Sequence, residues 1–408
     1  MAVLENIVPE AREAVVRIGG ADLIVAIPSC HTTEQLAAAL PELCPVLEAL
    51  LPDRPSVLLH PDTAAAPAQN GSRVQLLPYP LPPVERVREQ TLDQGLRSLM
   101  QLGKTMGARA FVMLGSETAP STGDDLRTLA EPVLNLGYDL AVPLYRGRRF
   151  GGLINSSIVY PLVRALYGVR LNYPMAVDLA FSSRLADREV NAPLTRDAHT
   201  GWLATKAVCA GLQVCEVHRD HPPAAAGHEA PDLSAVLAQV LNRLFLEIER
   251  TAGFWQRVRG SEPITIFGDP GVPGYEASSV DVHNMVETFQ RGCRDLLEIW
   301  SPVLSPGTLV ELRKIARLPS ETFRLADELW VHILYDFILG HRQRVISREH
   351  LLRALTPLYL GWVASYALEV QSLPPEAVEA RLEKLCLSFE KLKPYLLSRW
   401  RWPDRFNP

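Results

Sequence analysis

Residues Gly151 to Leu185 read GGLINSSIVYPLVRALYGVRLNYPMAVDLAFSSRL. A glycine pair opens the stretch, Ile158, Leu162, Val163 and Leu166 follow at helical spacing, and the apolar run MAVDLAF closes it as a strand with one acid inside. Pro161 suits a first helical turn, because the N–H it lacks has no intrahelical partner there. Asn155, Ser156 and Ser157 then stand just ahead of the helix, where unpaired backbone donors collect and anions are welcome. Asp178 is a carboxylate in apolar surroundings, which is unfavourable unless the group is paired or used. The plain interpretation is a capped helix followed by a strand whose single acid is hydrogen-bonded, since buried aspartates are usually structural partners.

Working outward, the runs ADLIVAIP (21–28), SVLLH (56–60), AFVML (110–114) and YDLAVP (138–143) read as buried strands. A leading helix over 1–20 precedes them, and helical patterns to about Leu51, over 84–106 and over 123–136 lie between them, with a polar, proline-rich connection over 61–84. A helix over 196–210 containing Trp202 and a strand QVCEV (213–217) follow. Strands alternating with helices imply βαβ units and a mostly parallel sheet, whose ligands bind beyond the carboxyl ends of the strands. Those ends carry Pro28-Ser29, Asp62, Ser116-Glu117 and Arg146. Neither G-x-G-x-x-G nor a Walker A pattern is present, which disfavours dinucleotide oxidoreductases and P-loop enzymes. A Pro/Ala/Gly linker over 222–231 separates this part from a nearly all-helical remainder, with helices expected over 232–257, 281–301, 306–316, 320–341, 347–371 and 374–399 and a loop over 258–280. Leu233, Val236, Leu237, Val240, Leu241, Leu244 and Ile248 form an apolar stripe on the first of these.

The 408 residues suffice for two cores, and a hydrophobic content of 47% fits a folded chain. A formal charge of −5 argues against general nucleic-acid binding, which needs a concentrated basic face. Arg146-Gly147-Arg148-Arg149 is a local basic cluster, read either as a solvated loop or as a partner for a diphosphate or acidic acceptor. The six cysteines are scattered without a C-x-x-C pair, so a zinc ribbon or redox motif is unsupported. The opening MAVLENIVPEAREAV has no basic segment followed by an apolar core, and no apolar run reaches membrane-span length. A reducing cytoplasm with free thiols is the expected setting.

Asn155-Ser156, Val159-Tyr160-Pro161-Leu162 and Ala176-Val177-Asp178 carry a resemblance to GT-A glycosyltransferases that act like glucosyl-3-phosphoglycerate synthase and mannosylglycerate synthase, and to bacterial family-2-like glycosyltransferases. The resemblance runs over most of the chain. It implies an α/β fold, a GT-A (Rossmann-like) nucleotide-sugar domain with a mostly parallel sheet over 1–225, followed by an all-α domain over 232–408 that supports homo-oligomers. It implies transfer of a hexose from a GDP- or UDP-sugar to a small polar acceptor, with retention of configuration. Loss of the diphosphate is the hard step, and a divalent metal (Mg or Mn) on hard ligands neutralises its charge. Glu117 stands at the last acid of the family's Asp-x-Asp, and His218, in Val217-His218-Arg219-Asp220, at the later metal-binding His. Nucleotide-sugar contacts fall on Pro28, Ser29, Cys30, Thr32, Asp62 and Ser116. Asn155 matches an acceptor-binding position, and Asp178 the acid that orients an acceptor hydroxyl, a positioning role.

Several positions depart from the family pattern. Gly115 replaces the first acid of Asp-x-Asp, His31-Thr32 stands where Asn or an acid is usual, Gln90 to Gln94 lacks the Gly-Lys-Gly of the phosphate contact, and Leu153 replaces an Arg. The lost first acid and the lost Gly-Lys-Gly favour the rival reading, a catalytically impaired relative that binds a nucleotide sugar or a protein partner, the retained Glu117, His218 and Asp178 oppose it, and Leu153 argues against a phosphorylated or carboxylate acceptor. Other chemistries are weaker. Ser29, Cys30 and His31 are adjacent and do not face each other as nucleophile and base. The HRDHP run lacks the downstream Asn and D-F-G of a kinase loop. Asp327, Glu328, His332 and Asp336 recur at near-helical spacing, a pattern read as a polar helix face rather than a metal site.

Overall fold

A computed structural model describes residues 9–65, 73–80, 88–115, 122–145, 149–190, 202–219, 232–269 and 280–402. The chain forms two compact units, Met1–Arg146 with Tyr173–His228 and Ile264–Gly271, and Gly147–Asn172 with Glu229–Pro263 and Val272–Pro408. The linker expected over 222–231 lies outside the described residues.

The first unit is built on eight strands: β1 (Leu23–Ala26), β2 (Ser56–Pro61), β3 (Val74–Tyr79), β4 (Ala110–Leu114), β5 (Leu140–Tyr145), β6 (Asp178–Ser182), β7 (Val214–Arg219) and β8 (Thr265–Phe267). They lie in the order β3-β2-β1-β4-β6-β5-β7-β8. All neighbouring pairs are parallel except those of β6, which is antiparallel to both β4 and β5. The expected α/β class with a mostly parallel sheet is therefore what the chain adopts. Strands β1, β2 and β4 are buried along their whole length, as both-faced cover requires. One face packs through Leu23, Val25, Leu58, Val112, Ala180 and Val217 against Leu36, Leu40 and Leu43 of helix Thr33–Leu50 and Leu126, Leu129 and Val133 of helix Gly123–Asn135.

Two strands fall where the sequence pattern gives loops. β3 lies in the proline-rich stretch, and it tolerates Pro78 because it is an edge strand whose outer N–H groups have no ladder to join. β8 is a three-residue edge strand inside the expected loop over 258–280.

The second unit is helical. Its helices include Leu233–Arg250, Val282–Asp295, Pro306–Ile315, Asp327–Gln343, Thr356–Val370 and Pro375–Arg401, close to the expected spans. The helix read over Ile158–Leu166 is also here, with a different start. Residues Asn155–Val159 already form a wide π turn, in which Tyr160 N donates to Asn155 O, and helix Tyr160–Tyr167 continues it. Ser156 N donates back to Gly152 O at 3.1 Å, so the donors at 155–157 are not the open first turn that the position of Pro161 suggests. The widened turn accommodates the proline ring inside a longer helical segment. Pro161 offers no N–H to the carbonyl four residues back, Ser157, and the Trp330 indole supplies one at 3.2 Å.

The polar residues singled out in this unit are consumed in packing. Arg149 donates to the carbonyls of Val370, Gln371 and Leu373 at the end of helix Thr356–Val370. Asp327 pairs with Arg381 and accepts from the Trp362 indole, and Asp336 pairs with Arg399 and Tyr395, so the helix face they share is structural. Arg164, fully buried, is bidentate to Glu383 at 2.5 and 2.8 Å and bonds Glu390 at 2.8 Å.

Gly168 ends helix Tyr160–Tyr167 with φ 74°, and a Cβ there would lie 2.8 Å from Val258 Cγ1 and 2.9 Å from Gly260 O. Gly152 has φ 66° with nothing within 4 Å of a built Cβ. Left-handed strain alone costs about 1–2 kcal/mol. Gly152→Ala is expected to lose about that much stability, and Gly168→Ala clearly more; calorimetric unfolding of both measures the steric part by difference.

Candidate active site

Among the described residues of the first unit, those that the sequence singles out lie in two groups near the carboxyl edge of the sheet. The first group follows β1 and β2. Cys30 N donates to Ile27 O at 3.1 Å, turning the chain tightly after β1 into helix Thr33–Leu50. Thr32 is the N-cap of that helix: its hydroxyl accepts from Gln35 N at 3.3 Å while the Gln35 side chain accepts from Thr32 N at 3.1 Å and His31 N at 2.8 Å. Thr32 thus has a folding role, and the helix N-terminus it caps opens at this edge, where anions are favoured. Burial pushes the Cys30 thiol up to about 11, so it is not a thiolate near neutrality. Asp62 follows β2, and its N–H donates to Tyr79 O at 2.9 Å, the last residue of β3. Pro28 lies close by: a Cβ on Gly95 would come within 3.0 Å of Pro28 Cβ and 3.1 Å of the Tyr79 hydroxyl. Gly95 is the point where helix Arg88–Met106 approaches the end of β1.

The second group depends on the reversed strand. Because β6 runs antiparallel, its first residue, Asp178, sits opposite Leu114, the last residue of β4, and so reaches the edge where the other strands end. Pro143 gives β5 no N–H at that level, and the β5–β6 ladder holds Leu140–Phe181 and Ala141–Ala180 but extends no further. Across the resulting gap, Arg219 at the end of β7 reaches over β5. Its Nη1 meets Asp178 Oδ2 at 2.5 Å, while its Nε and Nη2 grip Asp125 at 2.7 and 2.6 Å. The guanidinium lies over the Tyr145 ring, 5.9 Å from its centre, and the Tyr145 hydroxyl donates to Asp178 Oδ2 at 3.4 Å.

This network is withdrawn from water, with Asp178 0% and Arg219 8% exposed. Burial opposes the Arg219 charge, but the Asp178 and Asp125 carboxylates outweigh it and raise the guanidinium above its usual range. Burial alone would raise the Asp125 carboxyl; hydrogen bonds and charge from Arg219, with the Thr122 contacts, hold it below its usual value. Asp178 has the structural partner that the apolar run around it demands.

His218 precedes Arg219 on β7 and is half-buried. Alternation along the strand turns it to the face opposite Cys215, Val217 and Arg219, and Gly268, with φ 87°, packs against its Cβ. Ser116 and Glu117 lie outside the described residues, as do the side chains of Gln90 to Gln94. Among the described residues no group of three or more His, Cys, Asp or Glu side chains is arranged to hold a metal ion, so His218 alone does not make a metal site. Asn155 belongs to the second unit, where its amide donates to Asn172 O at 2.8 Å. Asp125, Tyr145 and Arg219 are not among the candidate site residues that the sequence motifs point to. Asp125 had a signal, since Thr122-Gly123-Asp124-Asp125 has the form of a capping box, and both of its reciprocal bonds are present.

Replacing Arg219 by Met leaves Asp178 buried and uncompensated, a loss of about 3–5 kcal/mol. Urea unfolding should show this, with the double variant Asp178→Asn/Arg219→Met less destabilised than the single. Asp125 contributes stability above its unfolded titration range, and this is lost as pH falls through the lower folded value. The acid limb of a stability–pH profile, below about pH 4, should therefore be shallower for Asp125→Asn than for the native chain.

No protein-family profile matches the chain, and no curated protein sequence is similar to it. Among solved structures it is similar to glucosyl-3-phosphoglycerate synthase from Mycobacterium tuberculosis in complex with Mn2+, uridine diphosphate and glucosyl-3-phosphoglycerate, at 15% identity over 59% of this chain and 84% of that one, with a TM-score of 0.34. The same synthase in complex with phosphoglyceric acid gives the same values. Its complex with Mn2+, UDP-glucose and phosphoglyceric acid gives 16% identity over 59% and 82%, with a TM-score of 0.31. Likeness at this level assigns no residue and no activity to this chain.

Proposed function

We propose that the chain is a nucleotide-sugar-dependent glycosyltransferase that moves a hexose from a GDP- or UDP-sugar to a small polar acceptor. The observation that carries this reading is the reversal of β6. It brings Asp178 to the carboxyl edge where β1 and β2 lead on to Pro28 and Asp62 and where β7 carries His218 as its penultimate residue, and ligands of such sheets bind at that edge. In this reading Pro28, Ser29, Cys30, Thr32, Asp62 and Ser116 line the nucleotide side, with the start of helix Thr33–Leu50, which Thr32 caps, facing the phosphates. Glu117 and His218 hold a divalent cation, Mg2+ or Mn2+, whose chemistry is to offset charge on the departing diphosphate. Asp178 acts by position, since its carboxylate is already committed to Arg219. The acceptor role of Asn155 and the retention of configuration are proposed on the family resemblance alone. The sheet-bearing part of the chain is the catalytic part, and the helical part is the site of self-association.

The second reading, a relative that binds the nucleotide sugar without transferring it, is favoured by the complete burial of Asp178, which withdraws the acid from any acceptor hydroxyl.

Calorimetry with a panel of UDP- and GDP-sugars, with and without Mn2+, followed by donor hydrolysis and transfer assays, separates the readings. Transfer is expected with at least one donor. Binding without turnover selects the second reading, and absence of heat with every donor sinks both. Asp62→Ala should weaken donor binding about tenfold, the effect of losing one hydrogen bond of about 1.5 kcal/mol to a charged group. Glu117→Ala should abolish the response to metal, and an unchanged response refutes that ligand.

A further inference from the structure

We propose that the amino edge of the sheet, at the opposite end of the strands from the candidate site, is a docking surface for an acidic segment of a partner protein that seats one apolar side chain there. Strand starts gather arginines at this edge. Arg73 stands directly before β3, Arg54 two residues before β2, and Arg109 directly before β4. The reversal of β6 sets its last residue, Ser182, opposite Ala110, so Arg184, two residues on, joins the same edge. Backbone bonds hold the row together: Arg109 N and Ala110 N donate to Asp22 O at 2.9 and 3.1 Å, and Ser183 N donates to Arg109 O at 3.0 Å. Across the order β3-β2-β1-β4-β6 the row spans about 19 Å, at about 4.8 Å per strand.

The acids of this row are inside and the arginines outside. Asp22 meets Arg54 at 3.0 Å and Arg109 at 3.7 Å, and Asp139 meets Arg184 at 2.8 Å. The two acid side chains are 12% and 1% exposed, whereas those of Arg54, Arg109 and Arg184 are 66%, 63% and 64% exposed. A withdrawn carboxylate thus orients each guanidinium and leaves its other N–H groups to solvent, in the fork that a second carboxylate fits. Arg17, in the last turn of helix Pro9–Ile18, is exposed and makes no ion pair among the described residues. Lys104 is exposed as well, and Glu13 and Asp53 are the exposed acids of the same stretches, so cations prevail.

The same edge offers a seat for an anchor. A cavity of about 290 Å³ lies at the β2–β3 end of the row, lined by Ala14, Arg17 and Ile18, by Pro55 beside Arg54, and by Gln75 on β3. Its apolar walls suit an aliphatic or aromatic side chain, and an anchor in a pocket ringed by polar contacts is the arrangement that dominates affinity in protein interfaces. Nucleic acid suits the surface less. A duplex carries one negative charge per about 1.7 Å and favours a long basic track, whereas this row is short, is flanked by Glu13 and Asp53, and belongs to a chain of net charge −5.

The probe is a fluorescein-labelled peptide of glutamates with one central leucine, titrated with the full chain by fluorescence polarisation at physiological ionic strength, with Tm measured on every variant. Saturable binding is expected, and it should weaken as salt is raised. The double variant Arg17→Gln/Arg109→Gln should bind about tenfold more weakly, while Asp22 keeps its bond from Arg54. Exchanging the peptide's leucine for serine should weaken binding by native chain about tenfold, and Ala14→Phe, which fills the cavity, should remove the difference between the two peptides. An oligothymidylate of equal charge is the competing ligand. If it binds as tightly as the leucine peptide and the double variant weakens both alike, the surface is a general polyanion site and the proposal is overturned. Absence of peptide binding, equal binding by the native chain and the double variant, or equal binding of the two peptides by the native chain overturns it too. The transferase reading stands or falls separately, at the other end of the sheet.

Discussion

A guanidinium removed from water must find its solvation in the protein. Arg219 finds it in two carboxylates and an aromatic ring, each from a different segment. That requirement fixes much of the first unit. The antiparallel β6 has to start at the edge where β7 ends, the ladder between β5 and β6 has to open where Pro143 interrupts it, and helix Gly123–Asn135 has to begin close enough for Asp125 to be shared. Two of the three, helix Gly123–Asn135 and β5, are consecutive in sequence, and β6 and Arg219 itself join them from further along the chain. The ion cluster therefore specifies arrangement more than it supplies net stability, because pairing in a low-dielectric interior is offset by the desolvation of every member.

The chemistry assigned to the carboxyl edge follows from the same arrangement. A parallel sheet presents strand ends, helix starts and their dipoles on one side, and the reversal of β6 adds an acid to a side that parallel strands would otherwise supply alone. The second unit is different in kind. Its buried charges Arg164, Asp336 and Arg399 and the half-buried Asp327 each pair with partners in the same unit, and Trp330, Trp362 and Tyr366 stack in its core. Its polar residues serve packing, and the spacing that invites a metal interpretation around His332 is that of a helix flank.

Most strands and helices are legible in the sequence because apolar periodicity reports burial, and burial is what these elements share. Direction is not legible: MAVDLAF has the same composition whether β6 runs with its neighbours or against them. β3 is hidden by Pro78, which is tolerated only at an edge, and β8 is three residues long and exists through its pairing with β7. At the site, Asp178 announces its need for a partner, yet the partner lies across β5 and no spacing rule reaches it. Thr32 is visible as a polar residue at a strand end, but its commitment to Gln35 emerges only from the capping geometry. Arg219 stands beside His218 in the sequence and is easily read as that residue's neighbour rather than as the centre of the network.

The wide turn at Asn155–Val159 has a consequence for how the second unit can vary. Pro161 deprives the Ser157 carbonyl of its helical donor, and an indole 169 positions later, Trp330, restores it. The two residues form one unit of inheritance. A lineage that exchanges Trp330 for a side chain without an N–H removes the indole's bond to that carbonyl while the proline stays, and one that exchanges the proline releases the indole from its role. In an alignment of relatives the two columns are expected to change together.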